Sequence, residues 1–162
     1  MRVAYETDLP AIVAIYNTTV PTRQSTADTA EVSVASRMEW FRQHTPGKRP
    51  LLVHEQDGKI VAWVSFQSFY GRPAYDHTAA VSIYISPEHC GHGLGRRLLA
   101  ETLSMTREMG IKTVVGFVFS HNEPSIRLLK SFGFEDWGNL PNVAEMDGKE
   151  YSLSILGKRV NP

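Results

Sequence analysis

The stretch Ser86-Pro87-Glu88-His89-Cys90-Gly91-His92-Gly93-Leu94-Gly95-Arg96-Arg97-Leu98-Leu99 decides how this chain folds. An alternating run at 80–85 enters it, and leucines at helical spacing leave it. Glycine at every second position allows positive φ angles and removes the Cβ atoms that would keep a ligand from the main chain. The free amides and positive dipole end of the following helix favour an anion. The turn is therefore predicted to hold a diphosphate.

Two common phosphate-binding motifs are excluded by their spacing. The dinucleotide fingerprint G-x-G-x-x-G needs glycine where this chain has Arg96. The nucleoside triphosphate loop is absent because no Gly-Lys-Ser or Gly-Lys-Thr occurs. An ordinary glycine-rich turn between a strand and a helix remains the alternative for this motif taken alone.

Composition bounds the class of protein. The 162 residues, 42% hydrophobic and 21% charged, suit one globular domain. Lys+Arg and Asp+Glu both number 17, so no nucleic-acid or membrane partner is indicated, and a small neutral or zwitterionic substrate fits better. The lone Cys90 allows no intramolecular disulfide and no zinc site, so no metal and a cytoplasmic location are expected. The first residues lack the apolar core of a signal peptide.

The order of elements predicts an α/β (α+β) fold with one mixed sheet and helices on both faces. Thr7 or Asp8 caps a first helix, and further helices are predicted over 31–44, from the glycine turn to Gly110, and over 124–132. Strands are predicted over 2–5, 51–55, 60–69, 79–85, 111–119 and 150–156, and another strand is predicted to start over 134–137. The segment 18–28 is predicted to be a loop.

A second motif adds a resemblance to a known family. The run His121-Asn122-Glu123-Pro124-Ser125-Ile126-Arg127-Leu128-Leu129-Lys130-Ser131-Phe132-Gly133-Phe134 is similar to the pattern N-x-x-[SA]-x-x-[LF]-[YH]-x-x-x-G-F of the GNAT N-acetyltransferase superfamily. The glycine turn resembles the acetyl-CoA loop of that superfamily, [QR]-x-x-G-x-[GA], with Cys90 in place of Gln or Arg. Trp40-Phe41 and the run from Thr78 to Ile85 further resemble the phosphinothricin and methionine sulfoximine acetyltransferase branch, whose members acetylate the amino group of small amino-acid-like compounds.

This resemblance implies a single N-acetyltransferase domain over residues 1–162 with a mostly antiparallel sheet. One parallel strand pair would splay apart and bind acetyl-CoA between its ends. The acceptor would be the primary amine of a small amino-acid-like or amine substrate, and the protein a homodimer. The implied cofactor-binding residues are Ile83, Tyr84, Ile85, Gly91, His92, Gly93, Leu94, Gly95, Arg96, Asn122 and Ser131.

The proton-handling positions depart from that branch. Direct attack by an amine needs a group that accepts the ammonium proton. The glutamate that is a candidate base in the resembling branch is Ala80 here, and the Tyr or His near the thiol is Leu129. We therefore expect a displaced base, His77 or Asp76, acting directly or through water, with Tyr84 oriented toward the cleft. A solvent-facing loop position is the alternative for His77.

The loop 69–77 is predicted to display the acceptor site, because aromatic and polar side chains crowd it. Its candidate substrate-binding residues are Tyr70, Arg72 and Tyr75, and Arg72 is suited to pairing with a substrate carboxylate. Two other functions stay open at this point. One is acetylation of a protein lysine or N-terminus, and the other is a non-catalytic acyl-CoA-binding sensor, which Ala80 and Leu129 favour.

Overall fold

The computed structural model describes residues 1–162 and contains one mixed sheet of seven strands with four α-helices. The strands are β1 (Arg2–Val3), β2 (Leu51–Gln56), β3 (Lys59–Ser68), β4 (Thr78–Ile85), β5 (Thr113–Phe119), β6 (Glu135–Met146) and β7 (Lys149–Arg159). The helices are α1 (Leu9–Thr19), α2 (Val34–Arg42), α3 (Leu94–Met105) and α4 (Glu123–Ser131). The order across the sheet is β1-β2-β3-β4-β5-β7-β6.

The strands β4 and β5 form the parallel pair of an otherwise antiparallel sheet. They pair only over Thr78–Ala80 and Thr113–Val115. Beyond that point β4 stays paired with β3 as far as Ile85, and β5 stays paired with β7 as far as Phe119. Backbone groups on the facing edges are therefore left without a strand partner. The predicted splayed pair in a mostly antiparallel sheet is confirmed.

Each face of the sheet carries one pair of helices, as predicted. On one face, residues of α1 such as Leu9 and Ile12 pack with Trp63, and α2 packs on the same cluster. On the other face, Leu98 of α3 packs with Phe66 and Ala79, and α4 covers the same core. Because directly paired residues share a face, the register fixes which β4 side chains meet which helices.

Several elements begin or end at other residues than predicted. The helix after the glycine turn ends at Met105, and turns follow as far as Gly110, whose φ is +68°. The second helix begins later than predicted because the Ser33 hydroxyl accepts from Ser36 N at 3.1 Å and caps it. The sixth strand extends far past 137 to Met146 and includes Pro141. An edge strand accommodates that proline, and the register shifts between Leu140 and Ala144.

No helix combines the length and the apolar composition that crossing a membrane requires. No group of three or more His, Cys, Asp or Glu side chains is placed to hold a metal ion.

Candidate active site

The divergence of β4 and β5 opens a cleft of about 880 Å³, called here the splay cleft. It passes through the sheet, because its lining includes Gln24–Ala27 from the α1–α2 connection on one face and Leu128 and Leu129 of α4 on the other. Val81–Ile85 and Gly116–Phe119 form its two edges. The free backbone groups along these edges suit a ligand rich in amides.

The glycine turn presents a set of free amides where α3 begins. Gly91 and Gly93 have φ angles of +77° and +81°, which glycine adopts without steric cost. The first helical bond runs from Arg97 N to Gly93 O at 3.1 Å, so the amides of the three preceding residues have no intrahelical partner. No side chain caps them. The start of α3 therefore combines free amide donors with the positive end of the helix dipole, an arrangement that favours an anion.

The predicted cofactor-binding residues divide into two groups. Ile83, Tyr84, Ile85, Gly95 and Asn122 line the splay cleft. The remaining ones belong to the turn and to the ends of α3 and α4: Gly91, His92, Gly93, Leu94, Arg96 and Ser131. Among these, Leu94 packs its side chain into the core, and Arg96 Nη1 donates to Ser131 Oγ at 3.2 Å.

Two residues mark where α3 meets the cleft. A Cβ at Gly95 would lie 3.4 Å from both Ile85 Cδ1 and Leu128 Cδ2, so glycine keeps this wall open. Cys90 also lines the cleft, and burial raises the pKa of its thiol. A protonated thiol is a weak nucleophile, so Cys90 is a wall residue.

The segment 22–28 covers the splay cleft on the α1–α2 face. Its backbone carbonyls are held by side chains from both diverging strands. His121 Nε2 bonds Arg23 O at 2.7 Å, Asn122 Nδ2 donates to Gln24 O at 3.2 Å, and the Tyr84 hydroxyl donates to Ser25 O at 2.8 Å. Asn122 Oδ1 also accepts from Ser125 N at 3.4 Å and caps α4. The Asn122 side chain therefore links the start of α4 to the covering segment 22–28.

A second, smaller cavity of about 200 Å³ lies between α1, α2, β3 and β4. It adjoins the splay cleft, because Ser82 and Tyr84 line both. Trp63 stacks on Tyr84 with ring centroids 4.5 Å apart, and Trp40 contacts Trp63 edge-on at 5.4 Å. The rings give this cavity a rigid wall.

Tyr84, a predicted catalytic residue, is a neutral phenol between the two cavities. Burial raises the pKa of its hydroxyl. Because its proton is retained, Tyr84 is a hydrogen-bond donor and not a base.

His77 and Asp76, the other predicted catalytic residues, line neither cavity. His77 Nδ1 donates to Gly110 O at 2.8 Å, beside the turns that follow α3. Asp76 pairs with Lys48 at 3.0 Å, and that hydrogen bond lowers the pKa of the carboxyl group. The structure does not bring these two side chains to the splay cleft.

Two of the predicted substrate-binding residues, Tyr70 and Tyr75, lie in an aromatic cluster at the edge of the cleft. Phe69 contacts Tyr70 at 4.5 Å and Tyr75 at 5.4 Å, and stacks over Phe117 at 6.4 Å between ring centroids. Phe117 lines the splay cleft, whereas Tyr70, Arg72 and Tyr75 do not line it. The cluster thus joins the loop to the cleft through one β5 side chain.

No sequence pattern predicted the polar pair that His44 forms with Ser65 at the smaller cavity. His44 Nε2 lies 2.7 Å from Ser65 Oγ, and His44 Nδ1 lies 2.9 Å from Trp40 O. Ser65 lines the cavity and is the register partner of Ser82. The spacing from Trp40 to His44 signals a contact at the end of a helix. No local pattern indicates the contact with Ser65, which comes from another element.

Comparisons with known proteins agree with this geometry. Residues 10–134 match the acetyltransferase (GNAT) family. A Bacillus subtilis protein, YwnH, named provisionally as a phosphinothricin acetyltransferase, is 47% identical over 161 residues, covering 99% of each chain. The L-amino acid N-acyltransferase MnaT of Escherichia coli is 31% identical, covering 96% of this chain and 91% of its own. A phosphinothricin acetyltransferase from Sinorhizobium meliloti, solved in complex with acetyl-CoA, superposes with a TM-score of 0.91 at 25% identity, covering 99% of this chain and 87% of its own.

Proposed function

Because this chain belongs to the acetyltransferase (GNAT) family, we propose that it transfers the acetyl group of acetyl-CoA to the primary amine of a small amino-acid-like compound. The protein is an acetyltransferase, and acetyl-CoA is its cosubstrate. The names of its relatives refer to phosphinothricin and L-amino acids, which share a primary amine beside a carboxylate. The observation that carries the proposal is the splay cleft, with free strand edges along it and free helix amides at its end.

The residues present fit acetyl-CoA. The amides at the start of α3 would hold the diphosphate, with His92, Arg96 and Ser131 around it. The free edge at Ile83–Ile85 would bond the amides of the pantetheine arm, and Asn122 would contact the arm from the end of β5. Acetyl-CoA supplies an activated acyl group. The chain supplies position and the exclusion of water.

The acceptor amine enters from the face that carries α1 and α2. The aromatic cluster around Phe69 would form the outer wall there, with Tyr70 and Tyr75 as its exposed rings. Arg72 follows Gly71 in the same loop and would pair with the acceptor's carboxylate. The Tyr84 phenol keeps its proton at neutral pH, and its one O–H group donates to Ser25 O at 2.8 Å. It would donate to the leaving sulphur only by exchanging that bond.

The mechanism also needs a group that accepts the ammonium proton of the acceptor. His77 and Asp76 stay predicted bases. Neither residue lines a cavity, so a bound water would have to connect them to the amine. Replacing His77 by Ala tests this directly. An unchanged rate and pH profile would remove His77 from the mechanism.

Binding and turnover together test the proposed function. Calorimetry with CoA is expected to show one site per chain. Acetyl-CoA with phosphinothricin and a panel of L-amino acids is expected to release free thiol with at least one amine, and mass spectrometry to find the N-acetylated product. Binding without thiol release across the panel would favour an acyl-CoA sensor instead, and no binding at all would contradict the proposal.

We also propose that residues 1–162 work as one domain, in a cytoplasmic homodimer. The single sheet supports the one domain, because it includes strands from both ends of the chain. The edge strand β6 supports the dimer: Trp137, Leu140 and Val143 are large apolar side chains that are 44%, 42% and 58% exposed. Exposed apolar groups on an unpaired edge favour association with a second chain.

A further inference from the structure

His44 and Ser65 form a hydrogen-bonded pair at the edge of the smaller cavity. The carbonyl of Trp40 only accepts, so His44 Nδ1 carries the proton of the 2.9 Å bond. In the neutral ring Nε2 is then unprotonated and accepts from the Ser65 hydroxyl at 2.7 Å. A basic nitrogen therefore lies directly behind a hydroxyl group that faces the cavity.

The smaller cavity connects this pair to the splay cleft. Ser65 on β3 is the register partner of Ser82 on β4. Ser82 lines both cavities, so the two serines stand between the cleft and His44. A volume of about 200 Å³ has room for several water molecules at about 30 Å³ each. Hydroxyl groups and water can therefore form an unbroken chain from the cleft to Nε2.

Burial leaves the His44 imidazole neutral, although its hydrogen bonds to the Trp40 and Phe41 carbonyls raise its pKa. Arg37 lines the cavity but is paired with Asp28 at 2.8 Å. The phenols of Tyr16 and Tyr84 face it from α1 and β4, and burial raises the pKa of both. Burial lowers the pKa of the His44 imidazole, and no charged side chain opposes that effect. At neutral pH the ring is free to accept a proton.

We infer that the Ser65 hydroxyl and His44 together remove the ammonium proton of the acceptor, by way of Ser82 or cavity water. This inference rests on the proposed function. The ammonium proton moves to the Ser65 oxygen as the Ser65 proton moves to His44 Nε2, which becomes an imidazolium. The neutral amine forms the new C–N bond, the C–S bond breaks, and the second amine proton ends on the CoA thiolate. The imidazolium returns its proton to solvent when products leave.

His44 and Ser65 are thus positioning residues that act on the amine through hydroxyl and water. They lie on the same face of the sheet as Ala80, since Ser65 and Ser82 share that face through the register. The relay supplies the proton acceptor that Ala80 does not provide.

The pH dependence of Ser65→Ala tests the relay, with the amine that the wild-type protein acetylates fastest. We expect kcat at pH 7 to fall by about 100-fold, with KM for acetyl-CoA unchanged. The deficit shrinks by about tenfold for each pH unit as the pH approaches the pKa of the acceptor's own amine, because the amine then loses its proton unaided. A structural defect would lower turnover equally at all pH values.

Three further variants complete the test. Ser65→Thr keeps the hydroxyl and is expected to restore most of the turnover. Ser68→Ala, on the same strand but outside both cavities, is expected to behave as wild type. His44→Gln is expected to show the same shrinking deficit as Ser65→Ala and to lose the acid limb of kcat/KM; it decides the question if Ser65→Ala does not fold.

The outcomes separate the relay from the proposed function. Wild-type turnover with a Ser65→Ala profile parallel to that of wild type, or with no deficit, overturns the relay alone. A wild-type protein that acetylates none of the amines overturns the proposed function and the relay with it.

Discussion

Ala80 is the residue at which the site is least equipped for acid–base chemistry. It is the last residue of β4 that pairs with β5, opposite Val115, and it faces Gln67 across the β3 register. The methyl group of Ala80 accepts no proton. The candidate proton acceptors nearby are therefore the polar groups further along the same face of β4. Ser82, two residues on, is the first of these.

Restoring a carboxylate at this position is expected to bypass the relay. In the Ser65→Ala background, Ala80→Glu should recover at least tenfold of the roughly 100-fold loss at pH 7, because the carboxylate would accept the ammonium proton directly. The measurement is kcat for acetyl transfer. Ala80→Gln has the same shape without a basic oxygen and should recover nothing; equal recovery by both variants would show that volume, not proton transfer, was restored.

Asp8 gives a residue-level prediction about stability. Its carboxylate accepts from Arg2 Nη1 and Tyr5 N, both at 2.7 Å, and the bond from Arg2 lowers the pKa of Asp8. The unfolded state therefore binds more protons in acid, so this contribution is present at neutral pH and is lost as the pH falls below the ordinary value of about 3.9.

Asp8→Asn is accordingly expected to lower the free energy of unfolding at pH 7 by about 2 kcal/mol. The difference from wild type should shrink below pH 3.9, where Asp8 of the unfolded chain takes up a proton, and disappear once the pH passes the lowered pKa of Asp8 in the folded protein. Urea unfolding of both proteins at pH 7 and below pH 3.9 measures this difference in the free energy of unfolding. Asp57→Asn, in the exposed hairpin between β2 and β3, is the matched control and should change nothing.

At the scale of elements, α3 and the turn before it act as one unit. The first turn of the helix has the free amides to which the diphosphate is proposed to bind, and Leu98 and Leu99 pack into the core. The position of these amides depends on the positive φ angles of Gly91 and Gly93. A change at the turn therefore acts on the anion site without touching the core.

Gly93→Ala and Gly47→Ala separate binding from backbone strain. Both glycines have nearly equal φ angles, +81° and +82°, and open space where a Cβ would stand. Each substitution is expected to cost about 1 kcal/mol of stability. Only Gly93→Ala should also weaken CoA binding, by about tenfold or 1.4 kcal/mol, measured by calorimetry. Equal affinity in the two variants would contradict binding of the diphosphate at this turn.

At the scale of the whole molecule, the two parts of the sheet are joined by strand hydrogen bonds only through the short parallel pairing of β4 and β5. The strands β1 to β4 lie on one side of the splay cleft, and β5 to β7 lie on the other. The covering segment 22–28 adds contacts across it, including the pair between Arg23 and Asp147 at 2.9 Å. A ligand in the cleft would bridge the same two parts.

CoA is therefore expected to stabilise the protein against heat. At 100 times its dissociation constant the gain is about 2.7 kcal/mol. For a chain of this size that corresponds to a rise in Tm of about 5–11 °C. Differential scanning calorimetry with and without CoA measures the shift. An equal rise in Tm with adenosine at the same concentration would show that the main binding energy comes from outside the diphosphate and pantetheine contacts.

Association of two chains is also a property of the whole molecule. Light scattering is expected to give twice the mass of one chain, and Leu140→Asp to give a single chain, because a charge on the exposed apolar edge opposes association. Asn139→Asp adds the same charge at the neighbouring exposed position of β6 and should remain a dimer. A monomeric wild-type protein would contradict the proposal.

Much of this protein follows from local sequence. The glycine spacing at 91–95 and the alternating and helical runs on either side determine the strand, the turn and the start of α3, because φ preferences and side-chain periodicity act between near neighbours. The α/β class and the free amides at the start of α3 depend on nothing more distant. The length of β6 escaped such reasoning because Pro141 breaks a strand everywhere except at an edge, and edges are assigned only in the assembled sheet.

Only the tertiary structure determined which side chains contact one another at the site. The β4–β5 pairing ends at Ala80, and the carbonyls at 23–25 lie over the cleft. His77 bonds Gly110 O, and His44 bonds Ser65 on β3. These contacts join residues far apart in the chain. Their partners are fixed by strand register and helix packing, and a one-residue shift in register would turn Ser65 away from His44 and the cavity.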